Sequence, residues 1–281
     1  MSFDTEDRKQ PVTGSLLDGG WLALPLLATL GGAWAFARPA LMEGPAALAA
    51  HVALVVGGWL PFWHAVTHTD WASPLALWKR WTAADTLPAW PYVQPDAPGA
   101  ALHARLGQAH RWWRDVGATE LALPLRRAAL GAFVSLLLGL VLGRSALLLT
   151  LCFLACSELA VLWSEGAGEA GPIWTGIALA GLPWVLGVSL AGELAAIAAL
   201  SGLALSLVIG FYARRSSAAV LGPIVGGAFL VWQEHPAAAG WLLLLALPGL
   251  MVLTRPTDSA SYRRATGPWV LGMVAVMAAV L

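Results

Sequence analysis

The chain has 281 residues, 58% of them hydrophobic and only 11% charged, with a formal net charge of zero. A soluble domain carries about 25% charged residues, so this composition excludes an ordinary water-soluble globule, and the lack of any basic excess leaves nucleic acid out as a partner. No asparagine occurs anywhere, which rules out N-glycosylation and every motif that requires Asn.

The N-terminal tail, residues 1–16, opens as MSFDTEDRKQPVTGS. Its mixed charge and missing apolar core are unlike a cleavable signal. Apolar runs then follow at 17–37, 44–64, 121–142, 145–164, 172–190, 193–212, 217–233, 237–254 and 267–281. A membrane helix needs about 20 mostly apolar residues, and lipid forces backbone groups to bond within their own segment. The expectation is an all-α integral membrane protein, a single transmembrane domain over 17–281 with about nine spans. With nine spans and a cytoplasmic N-terminus, every basic residue except Arg38 and Arg144 falls on the cytoplasmic side. That bias predicts an inner or cytoplasmic membrane location with the C-terminus outside.

His51 lies inside the second run. It reads either as a hydrogen-bonded core residue or as an axial ligand to a haem or chlorophyll magnesium. The run ends in PFWHAVTHTDWASPLALWKRW (61–81), where His64 and His68 stand four apart and share a helix face. Such a pair suits a softer metal, but Asp70, six residues from His64, points elsewhere. Residues 65–120 form a long amphipathic cytoplasmic or interfacial segment. Pro88, Pro91, Pro95 and Pro98 make its middle an extended connector. On either side, ASPLALWKRWTA and ALHARLGQAHRWWRDV read as amphipathic helices, the second with Leu102, Leu106, Ala109 and Trp113 on one stripe. Either they anchor the chain at the headgroup layer or they form a lid over a cytoplasmic cavity.

Two acids fall within the apolar runs. Glu193 sits at an outer turn and reads as an ordinary helix N-terminal acid. Glu158, deeper in the fourth run, is a candidate functional residue or a partner for Arg126 or Arg127. Cys152 and Cys156, one helical turn apart, read as small core residues. Of the 16 tryptophans, Trp21, Trp59, Trp63 and Trp241 fall near expected helix ends, as belt residues do.

The passages VLWSEGAGEAGPIWTGIALAGLPWVLGVSLAG (161–192) and LLLLALPGLMVLTRPTDSASYRRATGPWVLGMVAVMAAVL (242–281), with nine helices and a large segment after the second, resemble the UbiA family of intramembrane prenyltransferases. Trp163–Ser164 stands where that family carries a Tyr-Ser pair. The resemblance implies a UbiA-like bundle. It also implies Mg²⁺ and an isoprenoid diphosphate held by an Asn-x-x-x-Asp-x-x-x-Asp motif after the second helix and an Asp-rich motif after the sixth. Carboxylates four apart present their oxygens on one face, as hard Mg²⁺ requires.

This chain departs from both motifs. The residues four away from Asp70 are Val66 and Pro74, and Arg214 and Arg215 replace the second acidic set. The reading that follows is a pseudoenzyme: a non-catalytic UbiA-like protein that binds a lipid, quinone, isoprenoid or pigment tail such as (bacterio)chlorophyll. It could equally serve as an accessory subunit of an electron-transfer or photosynthetic membrane complex. Lys79, Arg80, Arg214 and Arg215 offer a basic rim for an anionic headgroup. The alternative is an atypical Mg²⁺-dependent prenyltransferase using Asp70, Asp85, Asp96 and Asp115.

Overall fold

A computed structural model describes residues 21, 23–39, 44–85, 87–88, 98–163, 171–191, 196–213, 217–253 and 259–281. Secondary structure among them is helical, with no strand. The order is α1 (Ala23–Phe36), α2 (Pro45–Thr67), α3 (Ala72–Arg80), α4 (Pro98–Trp112), α5 (Ala122–Leu142), α6 (Arg144–Leu162), α7 (Pro172–Ala191), α8 (Ala196–Ala213), α9 (Leu221–Trp232), α10 (Pro236–Leu253) and α11 (Ser259–Val280).

Six of these, α2, α5, α6, α7, α8 and α10, are long and apolar enough to cross a membrane. Their length and composition suit a membrane protein. Helices α1 and α9 are apolar but span only 14 and 12 residues. Helix α11 has 22 residues but carries Arg263 and Arg264 in its early turns. It starts at Ser259, ahead of the expected 267, because Tyr262 and Thr266 bury one face of that entry. A search for uniformly apolar runs passes over such a one-sided start.

Packing follows the chain. Helix α1 lies along α7 and α11, and α7 to α11 pack each on the next. Helices α2, α5 and α6 form a second group that touches α1 and α7. Between apolar helices in lipid there is little hydrophobic drive to associate, so close backbone approach through small residues matters most. A Cβ added to Gly32 would overlap the Trp184 carbonyl, and one on Gly187 would overlap that of Thr29. Across the other face of α7, a Cβ on Gly176 would overlap the Ser206 carbonyl. Backbone thus meets backbone on both sides of α7.

Two of the long apolar helices contain a wide turn. The Leu60 N–H reaches back to the Val55 carbonyl in α2, and the Leu182 N–H to that of Ile177 in α7. Pro61 and Pro183 follow directly. Each lacks an N–H and would clash with the carbonyl four residues earlier, and the widened turn relieves that clash.

Three tryptophans expected in the interfacial belt are core residues instead. Trp21, Trp59 and Trp63 are at most 2% exposed, whereas Trp241 is 62% exposed. Trp59 stacks on Phe153 at 4.6 Å between ring centroids and donates its Nε1–H to Thr150 Oγ1 at 3.3 Å. Trp21 donates to the Arg263 carbonyl at 3.0 Å. A tryptophan near a helix end turns inward when a neighbouring helix offers an acceptor and a flat ring.

Gly176→Ala should force α7 and α8 apart and cost about 1–3 kcal/mol in detergent unfolding experiments. Gly57→Ala is the control: a Cβ there meets nothing within 4 Å, so stability should hold or rise slightly.

Candidate functional site

The end of α2 brings His64 and His68 together as stacked rings, 4.3 Å apart and 4° from parallel. Imidazole lone pairs lie in the ring plane, so in parallel stacked rings they do not converge on a shared metal. His68 Nδ1 also lies 3.0 Å from Thr67 Oγ1. Asp70 is exposed and caps α3, accepting the Ser73 N–H at 3.0 Å on Oδ1. Hydrogen bonds from the Ser73 side chain and backbone hold the Asp70 carboxyl below the usual carboxylate range. The acid nearest the expected diphosphate grip thus has a local structural role.

Beyond it, α3, residues 81–85 and α4 build a separate layer. Trp71 ties this layer to α2 by donating to the Val66 carbonyl at 2.7 Å. Trp112, Val116 and Leu121 form a small core against which Trp71, Trp78 and Trp81 pack. Trp78 meets Trp112 edge to face at 5.7 Å. Helix α4 continues past Trp112 through a wide turn at Trp113–Gly117 to Glu120. Leu75, Leu77, Leu102, Leu106 and Trp113 remain exposed.

The polar side of this layer converges on Asp85, whose side chain is 15% exposed. His110 Nδ1 donates to Asp85 Oδ2 at 2.9 Å, Arg111 reaches Oδ1 at 3.1 Å and Arg114 reaches Oδ2 at 3.0 Å. The same two arginines hold Asp115, from Arg111 Nε at 2.8 Å and Arg114 Nε at 3.2 Å. The backbone joins in: the Asp85 N–H donates to the Gly107 carbonyl at 3.2 Å, and a side chain at position 107 would run into the Asp85 carbonyl. Gln108 donates to the Trp81 carbonyl, and His103 Nε2 lies 3.1 Å from that of Pro88.

Partial desolvation pushes the Asp85 carboxyl up, but hydrogen bonds from His110 and Arg111 and the charges of Arg114 and Arg111 outweigh it. The net position is below the usual carboxylate range. Hydrogen bonding from Arg111 likewise lowers Asp115, against a desolvation that raises it. Asp85 and Asp115, two of the acids considered as unusual metal ligands, thus meet through arginines that already neutralise them. Asp96 lies outside the described residues.

The remaining predicted positions do not assemble into this site. Lys79 and Arg80 form the last turn of α3. Arg214, Arg215, Glu193 and Ser164 lie outside the described residues. Glu158 is exposed on α6 and makes no ion pair with Arg126 or Arg127 among the described residues, because the arginines at the start of α5 turn outward too. Cys152 is exposed and Cys156 half-buried, both as free thiols. His51 is 6% exposed, and its Nδ1–H donates to the Ala47 carbonyl at 2.8 Å. That bond fits the core-residue reading and leaves the Nε2 lone pair facing away from its own backbone acceptor. Among the described residues no three His, Cys, Asp or Glu side chains cluster as a metal site.

A groove that sequence reasoning missed lies at the other end of the molecule. It measures about 440 Å³ and is lined by Leu27, Leu30, Gly31 and Trp34 of α1, Leu48 of α2 and Leu271 to Ala278 of α11. The lining is almost wholly apolar. The spacing Leu27, Leu30, Gly31, Trp34 is one helical face and was a visible signal, but its partners on α11 are more than 200 residues away.

Comparison with protein families, with curated proteins and with solved structures finds no match to this chain.

Because the folded-state carboxyl of Asp85 is depressed, its network stabilises the layer above the ordinary Asp range near pH 4. That contribution disappears as pH falls through the folded value. Hydrogen exchange at the Asp85 and Leu87 amides should therefore stay slow from pH 7 down to about 5 and quicken sharply below about 4, after correction for intrinsic exchange. Asp85→Asn should show fast exchange there even at pH 7, with α5 to α8 unchanged.

Proposed function

We propose that this is a protein of the inner or cytoplasmic membrane that holds a membrane amphiphile and does not transform it. The observation that carries this reading is the groove between α1, α2 and α11, which has space for a hydrocarbon chain and no ionisable side chain in its lining. Pockets of a few hundred Å³ with apolar walls are ligand sites by default. Asp70, the acid placed best for a prenyltransferase reading, instead caps α3.

On this reading the nine apolar runs span the membrane, with the N-terminus cytoplasmic and the C-terminus outside. The one-sided distribution of basic residues supports this orientation. Residues 71–121 lie at the cytoplasmic headgroup layer, where exposed Leu102, Leu106 and Trp113 enter the lipid surface and the Asp85 network faces water. A UbiA-like scaffold that has lost its acidic motifs remains the proposed ancestry, resting on the two sequence passages quoted above. The amphiphile is a lipid, a quinone, an isoprenoid or a pigment tail, and an accessory role in an energy-converting membrane complex is consistent with holding one.

Two measurements test the function. Organic extracts of the purified protein should contain one tailed amphiphile at near one per chain; a preparation that is folded, free of amphiphile and unable to take one up would overturn the proposal. Protein supplied with Mg²⁺, an isoprenoid diphosphate and a quinone-like acceptor should transfer no prenyl group. Turnover abolished by Asp70→Ala would restore the enzyme reading.

Topology has its own test. In a Cys152→Ala/Cys156→Ala background, single cysteines at Ser145 and Ser259 should react with impermeant reagent from opposite faces. Labelling from one shared face would rule out nine spans.

A further inference from the structure

We infer that the α1–α2–α11 groove binds one acyl chain of an anionic phospholipid, with the lipid phosphate held at Arg38. This deepens the amphiphile-binding reading and rests on it.

The chain-binding half follows from the lining. Leu27, Leu30, Trp34, Leu48, Leu271 and Val274 present hydrocarbon and aromatic carbon, and Gly31 adds no side chain to the space between them. A polar ligand placed there would leave its hydrogen-bonding groups unmatched, so the part of the lipid that enters is its hydrocarbon chain.

The headgroup half follows from the groove's end. Trp34 lines the groove yet is 52% exposed, and the Arg38 guanidinium carbon sits 4.8 Å from its ring centroid. Arg38 Nε donates to the Trp34 carbonyl at 3.0 Å. The main-chain bond and the ring contact together fix the guanidinium beside the groove. Its two terminal nitrogens remain for an incoming anion, and among the described residues no carboxylate lies within ion-pair distance of Arg38. A guanidinium takes a phosphate bidentately without metal. Tryptophan beside it suits the headgroup boundary, where one side of the ring is wet and the other greasy.

Position agrees with this. Helix α2 runs from Pro45, near Arg38, to Thr67, where the α3–α4 layer begins. Arg38 therefore stands at the membrane surface opposite that layer. On that side few cations compete for anionic lipid, as Arg144 is the only other basic residue placed there by the chain's charge pattern.

Native mass spectrometry of the full-length protein in mild detergent, titrated with phosphatidylglycerol or phosphatidylcholine, tests the inference. Wild type should retain one lipid per chain and prefer phosphatidylglycerol about fivefold, because both lipids offer Arg38 a phosphate but the choline ammonium of phosphatidylcholine offsets that charge and is repelled by the guanidinium. Arg38→Gln should keep lipid binding but lose the preference. Ala275→Phe, which fills the groove from an exposed position, should lose binding of both lipids. A wild-type experiment covers the case in which Ala275→Phe unfolds. Phosphatidylglycerol with a photoactivatable acyl chain should label peptides containing 27–34 and 271–278 over the exposed face of α5, and excess phosphatidylglycerol should suppress that labelling.

Arg38→Gln with its preference intact would overturn the headgroup assignment. Folded Ala275→Phe that binds as wild type does, or labelling spread evenly onto α5, would overturn the groove while leaving amphiphile binding elsewhere standing. Lipid-free dimers under every condition would put a second copy in the groove and overturn the proposal. A wild-type protein that takes up neither lipid nor any other amphiphile would remove the underlying function as well.

Discussion

Lipid offers no hydrogen bonds, so each helix here must satisfy its own backbone before it can pack at all, and association then depends on how closely two satisfied backbones can approach. Everything else in the bundle is arranged around α7, where that approach is closest. Gly187 sets it against Thr29 of α1, and Gly176 sets it against Ser206 of α8. Bulkier residues at both places would separate three helices. Gripped from both sides, α7 fills the region between its neighbours with backbone and small side chains. Open space is left at the edge of the bundle, where α1, α2 and α11 meet with longer side chains between them.

The two ends of the molecule are built on different physical terms. At one end, α3 and α4 hold together through a small tryptophan core and a carboxylate shared by one histidine and two arginines. Those charges neutralise one another, so that end is a self-contained polar layer with a leucine edge and no spare anion site among its paired arginines. At the other end, a single arginine rests on a tryptophan beside an apolar groove. A charge with no acid within ion-pair distance among the described residues, next to a hydrocarbon-sized space, has the chemistry of an amphiphile site.

Two candidate sites of the sequence acquire other meanings in three dimensions. Asp70 lies between α2 and α3, and its Oδ1 accepts one of the orphan N–H groups that every helix start must satisfy. His64 and His68 are neighbours, as four-residue spacing requires, but they meet face to face. Residue types suited to metal binding thus perform capping and stacking.

The amino-acid sequence by itself determined the helical membrane character and the places where helices run, because apolar length and charge avoidance are local requirements that lipid imposes on each segment separately. It also exposed the amphipathic stripe of Leu102, Leu106 and Trp113, again a matter of spacing within one helix. Which way Trp59 and Trp63 face, that Arg111 and Arg114 share Asp85, and that Leu30 lies beside Val274 were decided only by tertiary structure. Each depends on what a distant segment places opposite: Phe153 and Thr150 for Trp59, Asp85 meeting Gly107 for the arginines, α11 closing on α1 for the groove. Local rules specify a helix's surface pattern, but a contact between residues 200 apart exists only once the intervening helices have fixed both ends.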